Sequence, residues 1–394
     1  MIVAFAFILP LSRALISLII ILLILFWLLE GDFKNKLRKI KENRVLLSFA
    51  LFLLWGMIIS LFSIYTEDIS RTLRLNLYLL GIFVIATSIK KEQIPTIITA
   101  FLSGMFISEI IAYGVFFELW TFKHATPVNP SPFMIHIDYS VFLAFSSILL
   151  LNRLFSPLYS LKEKLFLSFF FLTVTGNLFL STGRTGQVAF IAAIFVLSII
   201  HFRFTLKSLL VSALLLTTIF FTAYSLSSSF QMRIGNAVSD ISKMKDNNLN
   251  SSWGIRVAFW ITTFDAFQEH PMGYGLGGYR VATAKEIEKH EYPFLNSRSK
   301  AFMSDAHPHN QYLLVLLQSG FIGLLLFLNV IYQLLVYKIK DREIKEISVL
   351  FTTIYFVSCL AEPLLIKQFT LVLFVLFIGL FTATDLQEGE ERSS

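Results

Sequence analysis

Asp305-Ala306-His307-Pro308-His309-Asn310-Gln311-Tyr312 stands at a sharp change of composition. Before it runs the polar segment 226–308. After it, Leu313 to Tyr337 is almost wholly apolar, and a bilayer crossing needs only about 20 such residues. Two histidines and an amide therefore sit where an aqueous loop meets a membrane helix. The rest of the chain reads as the frame that holds this junction in place.

The whole composition agrees with a membrane setting. Of 394 residues, 56% are hydrophobic, 42 are Phe and 15% are charged, with a mean hydropathy of +0.71. Soluble domains carry about 25% charged residues, and a water-soluble fold could not hide this much apolar surface. The net charge of +7 then reads as cytoplasmic-loop lysine and arginine that orient the chain, and no nucleic-acid partner is expected. Cys359 is the single cysteine, so no disulfide forms within the chain. The first residues lack a basic leader and a small-residue cleavage site, which predicts a retained membrane segment.

Apolar runs fall at about 14–29, 46–64, 73–89, 95–117, 134–151, 165–181, 186–200, 207–225, 310–337, 346–361 and 364–383, with a short extra candidate at 2–11. They do not alternate as barrel strands do, and lipid admits only helices or closed barrels. The expectation is an all-α, polytopic inner-membrane protein of about 12 transmembrane helices, or 11 if the short first one does not span. Its parts would be N-terminal spans over 1–225, a large periplasmic loop with amphipathic helices over 226–308, three spans over 309–383 and a cytoplasmic tail at 384–394.

Sidedness follows from the basic residues. Lys34, Lys36, Arg38, Lys39, Lys41 and Arg44 crowd the 30–44 linker and mark it as cytoplasmic. Alternating from there puts Lys90/Lys91, Arg153/Lys162/Lys164, Arg203/Lys207 and Lys338/Lys340/Arg342/Lys345 on the same side. The poorer linkers Tyr65–Ser70, Glu118–Phe133, Ser181–Gly183 and Ala361–Lys367 fall opposite. Seven crossings separate 30–44 from 226–308, so the long polar segment lies outside the cytoplasm.

That segment carries nine basic and eight acidic residues, so individual positions must carry its role. Ile255 to Phe267 has helical apolar spacing, Asn250-Ser251-Ser252 offers caps, and His270-Pro271 ends the helix. Gly273-Tyr274-Gly275-Leu276-Gly277-Gly278 matches G-x-G-x-x-G, yet it follows a helix where a dinucleotide site needs a strand. A tight loop with close backbone packing is preferred. Asp305, His307 and His309 alternate in a way that invites a metal, with His270 or His290 as further ligands, but nothing in the sequence fixes such a geometry. Arg184, in Ser181-Thr182-Gly183-Arg184-Thr185, lies at the outer face, where cationic anchoring by the positive-inside rule does not operate. Arg256 opens the amphipathic stretch. Two guanidiniums and an imidazole at one interface suit a phosphate-bearing substrate and a hydroxyl proton.

These residues resemble the O-antigen ligase family, within the wider group of O-antigen ligases and polymerases. His309-Asn310, nine residues, Gly320, two residues and Gly323 form the best match. Arg256 within Trp253–Trp260, followed by His270 to Gly277, and the short turn around Arg184 are similar to the family's other signatures. The resemblance implies a glycosyltransferase acting on the periplasmic face. Its donor is a glycan on undecaprenyl diphosphate, and its acceptor is a sugar hydroxyl of lipid A–core, with membrane lipids around it. Arg184 and Arg256 would stabilise the diphosphate and His309 would be the general base. Asn310 or His307 would orient it, while Gln311, Arg233 and Arg280 are further candidates for substrate contacts. No metal or cofactor is expected. The alternatives are a polymerase using the same donor, a protein O-oligosaccharyltransferase and a lipid-linked glycan transporter. A transporter should show charged or broken helices at mid-membrane.

Overall fold

The structure is a computed structural model. It describes residues 1–62, 69–226 and 228–393, with side chains for all of these except 69–73, 223, 226, 228–229, 233 and 385–393. The described chain is all-α. Its helices are α1 (Ile2–Ile8), α2 (Arg13–Leu29), α3 (Phe33–Glu42), α4 (Arg44–Leu61), α5 (Ile69–Leu79), α6 (Gly81–Ser88), α7 (Ile94–Phe116), α8 (His136–Phe155), α9 (Leu161–Leu180), α10 (Arg184–Phe202) and α11 (Leu206–Leu226). The long polar segment supplies α12 (Ser228–Lys245), α13 (Ser252–Glu269), α14 (Tyr279–Lys289) and α15 (Ser297–Asp305). The bundle closes with α16 (Gln311–Val336), α17 (Arg342–Ser358) and α18 (Gln368–Ser393).

On length and composition α4, α7, α8, α9, α10 and α16 can each cross a membrane, and α2 with α3 passes the same test across a bend of 113°. Shorter apolar helices cover 74–88, 206–222 and 368–384. The chain is a multi-pass membrane protein. Of the two alternatives for the first run, the structure has the one in which it does not span. Residues 2–8 make only two turns, about 10 Å of rise, far short of a ~30 Å hydrocarbon core. This stub packs on α7 instead, where a Cβ at Gly104 would lie 2.2 Å from the Phe7 carbonyl. The basic 30–44 linker is itself helical, and Lys36 reaches back from it to Glu30 at 2.8 Å.

Two helices form the post around which the others pack. Every described side chain of α18 from Phe369 to Thr384 except Gly379 is at most 1% exposed, and α8 is buried from Asp138 to Arg153. Lipid tails are as apolar as leucine, so shape must hold these helices together. Much of that shape is phenylalanine: Phe145 meets Phe377 edge-on at 4.6 Å, and Phe101 meets the same ring at 5.3 Å.

Contacts between linkers sort them into two ends. Asn43 donates to Tyr337, Tyr159 and Arg153 meet Glu343, and His201 faces Glu346, so the basic linkers share one end. At the other, Gln368 donates to the Arg13 carbonyl, Thr182 to Asn129, and Leu276 N–H to Ser60. That grouping supports the sidedness read from charge. The linker Tyr65–Ser70 falls largely outside the described residues.

Candidate active site

Asn310 builds the junction. Its side-chain oxygen accepts from the backbone N–H groups of Tyr312 and Leu313 at 2.8 and 3.1 Å, capping α16. Its amide donates to the Leu360 carbonyl at 3.0 Å. The Gln311 backbone N–H donates to the Cys359 carbonyl, and the Gln311 side-chain oxygen accepts from Leu365 N–H at 2.9 Å. Both residues thus spend their polar groups tying the 359–365 turn to the start of α16. That turn carries Glu362.

Glu362 is 1% exposed, and charge in such a place requires partners. Its Oε2 lies 3.0 Å from His309 Nδ1, and its Oε1 lies 3.3 Å from His307 Nε2 and 2.7 Å from Lys367 Nζ. Lys367 also reaches Asp138 Oδ1 at 3.6 Å. Burial alone would raise the Glu362 carboxyl. The hydrogen bond from His309 and the charges of Lys367 and the two imidazoles outweigh burial and bring it down to about 2. Glu362 is a carboxylate at neutral pH, so His309 donates through Nδ1 and its Nε2 is left as the acceptor.

The two histidines are not equivalent. Burial pushes His307 down to about 4, with Glu362 opposing and His309 and Lys367 adding to the fall. The His309 backbone N–H donates to His307 Nδ1 at 3.3 Å, so His307 carries its proton on Nε2, toward Glu362. His309 sits at φ +46°, a left-handed conformation that non-glycine residues rarely adopt. Phe302 stacks on its ring at 6.1 Å and Phe259 meets it edge-on at the same distance. One imidazole is thus buttressed by α13, α15 and a carboxylate, and the other supports it.

The glycines explain how the long segment is fixed here. Gly320 breaks α16 at φ +63°, and Pro271 to Gly275 fills the break. Tyr274 and Gly275 N–H donate to the carbonyls of Leu317 and Gln318 at 2.7 and 2.9 Å, Phe321 N–H donates to Pro271, and Trp55 Nε1 donates to Ser319. Each carbonyl freed by the kink has a donor, as backbone at membrane depth requires. A Cβ at Gly320 would fall 2.3 Å from the Pro271 carbonyl. The glycine-rich turn is a packing loop, as its sequence context implied.

Arg184 is the first residue of α10, in a turn pressed onto α8. A Cβ at Gly183 would meet the His136 carbonyl at 2.4 Å, and Gly186 N–H donates to Ser140 Oγ at 3.1 Å. Arg184 shares a cavity of about 550 Å³ with Trp253, in the first turn of α13. Three residues on, Arg256 bonds the Ser252 carbonyl at 2.8 Å. Burial lowers its pKa, against the pull of Glu362 and Asp240, so Arg256 lies within the field of the carboxylate that holds His309. Arg280 faces outward to Asp305 at 3.7 Å, and that pairing takes Asp305 away from the histidines. The side chain of Arg233, in α12, lies outside the described residues.

Among the described residues two groups could hold a metal, His307 with His309 and Glu362, and the more exposed Glu269 with Glu286 and His290, the ligand atoms of each lying within 4.8 Å of one another; neither is the alternating triplet. Lys367 already sets an ammonium against the Glu362 carboxylate. A divalent ion would have to displace or repel it, which favours a site that supplies its own cation. Glu362, Lys367 and Asp138 were missed in the sequence. Their signal is a single charge beside or inside an apolar run: Glu362 and Lys367 in the 361–367 linker, and Asp138 within the 134–151 run.

A family model described as O-antigen ligase matches residues 169–328. The match runs from α9 into α16 and takes in Arg184, Arg256, His309, Gly320 and Gly323. A Haemophilus influenzae protein described as uncharacterized is 28% identical over 166 residues, 41% of this chain and 40% of that one. The family-model match over 169–328 holds Arg184, Arg256 and His309, while the carboxylate that orients the histidine lies beyond it.

Proposed function

We propose, taking as premise that this chain belongs to the O-antigen ligase family, that it joins a lipid-diphosphate-linked O-antigen to a sugar hydroxyl of lipid A–core on the periplasmic face of the inner membrane. The observation that carries this reading is the bond between His309 Nδ1 and Glu362. It leaves Nε2 to take a proton, with Arg256 near enough for Glu362 to act on its charge. The acceptor hydroxyl gives its proton to His309 Nε2 as its oxygen bonds to the anomeric carbon of the donor. The bond from that carbon to the diphosphate oxygen breaks, and the electron pair leaves with the diphosphate. Arg184 and Arg256 stabilise the added negative charge. A diphosphate is a good leaving group once neutralised, so no acid need protonate it. Glu362 stabilises the imidazolium, as the carboxylate does in other His–carboxylate pairs, and the proton then passes to water. Lys367 beside the carboxylate supports chemistry without a divalent cation.

The test is deletion of the gene and complementation with wild type or His309→Ala, reading lipopolysaccharide on a gel. Loss of polymer from lipid A–core while long lipid-linked chains accumulate supports ligation. Lipid A–core carrying one repeat unit would instead mark a polymerase using the same donor. Unaltered lipopolysaccharide in the His309→Ala strain refutes both. In the purified enzyme, full activity in EDTA with no stimulation by Mg²⁺ is expected.

A further inference from the structure

A cavity of about 900 Å³ opens beside Asp138 and Lys367, the latter in contact with Glu362. Its walls come from α2, α5, the start of α8 and the turn into α18. None of these elements lines the Arg184 cavity, which is built from α9, α10, α11, α12 and α13. Arg13, Arg74 and Lys367 line it, with Asp138 as the one acidic group in the lining. Arg13 lies over the Phe369 ring at 5.2 Å. Among the described residues, neither Arg13 nor Arg74 has a carboxylate within 4.0 Å. Below the cations the lining turns apolar, through Ile20, Ile24 and Leu77. Ile21 is 62% exposed and Leu77 58%, so this apolar wall continues onto the lipid-facing surface.

The polar rim is held rather than loose. Gln368 Nε2 donates to the Arg13 carbonyl at 3.1 Å and to Ser17 Oγ at 2.8 Å, and Ser17 Oγ and Tyr78 OH share a hydrogen bond of 2.8 Å. These bonds join α2, α5 and α18 at the outer end of the bundle, level with the Glu362 turn. Guanidiniums above an apolar wall match the chemistry of a phosphate carried directly on a lipid anchor. The transfer proposed above joins two substrates that are both anchored in lipid. Each anchor needs a lateral berth, and the arginines of α10 and α13 provide for the donor alone.

We propose that the Arg13–Arg74 cavity is the berth of the acceptor. It would bind the phosphorylated head of a saccharide lipid, with its chains against α2 and α5 and its sugars leading toward His309. This rests on the ligase reading. Lys367, which both lines the cavity and contacts Glu362, places that berth next to the base.

The experiment uses the full-length protein in nanodiscs, as wild type and as the double variant Arg13→Gln/Arg74→Gln. Each lost charge-assisted contact is worth roughly tenfold in affinity. At saturating donor, the acceptor KM should therefore rise about 10- to 100-fold, with kcat and the donor KM within about twofold. A rise in the donor KM instead, or no change in either, overturns the assignment. Binding is then measured by native mass spectrometry in the His309→Ala background, with diphosphoryl lipid A and farnesyl diphosphate as probes. Loss of lipid A retention alone in the triple variant supports the berth. Loss of farnesyl diphosphate retention, or unchanged lipid A retention, overturns it. Because this arm needs no turnover, it stands apart from the ligase reading: a His309→Ala protein that still transfers defeats that reading whatever binds here. Restored lipid A retention in Arg13→Lys/Arg74→Lys would separate charge from a folding defect.

Discussion

The two ends of the helical bundle use the same residue types and differ in what surrounds them. At the inner end His201 Nε2 lies 3.1 Å from Asn152 and 4.0 Å from Glu346, while Glu346 is taken by Arg342 at 2.8 Å. Arg153 approaches Glu343 at 3.9 Å. Every one of these groups lies on a regular helix. At the outer end Glu362 lies in a turn, it is buried, two imidazoles and an ammonium converge on it, and His309 holds a left-handed backbone. A histidine near a glutamate is common, and at the inner end it does no more than tie helix ends together. Burial, backbone strain and adjoining cavities make the outer pair fit for chemistry.

The largest effect that separates the ends is on turnover. His309→Ala should reduce transfer about 10²- to 10⁴-fold, the range for removing a general base. His201→Ala should leave it within about twofold, measured as polymer on lipid A–core per unit of enzyme. Equal losses at both ends would erase the distinction. Arg184→Ala and Arg256→Ala come next, each at about 10²- to 10³-fold, as for other groups that stabilise developing charge. Lysine at either position should recover only part of the loss, because an ammonium lacks the planar fork. Glu362→Gln against Glu346→Gln sharpens the comparison further. The first should cut kcat by roughly 10²-fold with the donor KM unchanged, and the second should cost little.

A stability effect follows at the kink that docks the glycine-rich loop. Gly320→Ala puts a Cβ 2.3 Å from the Pro271 carbonyl at a φ of +63°, so both clash and strain oppose it. The thermal unfolding midpoint in detergent should fall, with a loss of about 1–3 kcal/mol. Gly235→Ala is the contrast. Its Cβ meets nothing within 4 Å, and the midpoint should not fall.

Apolar run length and basic linkers carried most of the architecture, because a bilayer leaves the backbone so few options. They did not reveal that residues 2–8 stop after two turns, since that depends on where Gly104 lets α1 rest on α7. The helix inside 30–44 was hidden because a basic amphipathic stretch and a basic linker look alike when only charge is counted. His309 and Arg184 stand out in the sequence by their position at span ends, and Arg256 by opening the amphipathic stretch of the polar segment, which made them candidates. Glu362, Lys367 and Asp138 do not. They are isolated charges far apart in sequence, and only the tie between Asn310, Gln311 and the 359–365 turn brings the first to His309.

The smallest expected effect concerns pH, and its sign follows from burial. His307 falls from an ordinary value of 6.5 to about 4 in the folded protein, so the unfolded chain takes up its proton first as pH drops. Its contribution to stability is complete above about pH 6.5 and is lost progressively down to about pH 4. Glu362 falls from 4.5 to about 2, so its contribution is complete above about pH 4.5 and is lost as pH falls toward 2. The midpoint of unfolding in detergent should therefore begin to decline near pH 6.5 and go on declining through pH 4.5 toward pH 2. His307→Gln should flatten the upper part of that curve and leave the lower part. If His307→Gln leaves the upper part unchanged, the early decline comes from elsewhere, and His307 is not the half-buried neutral support that separates it from His309.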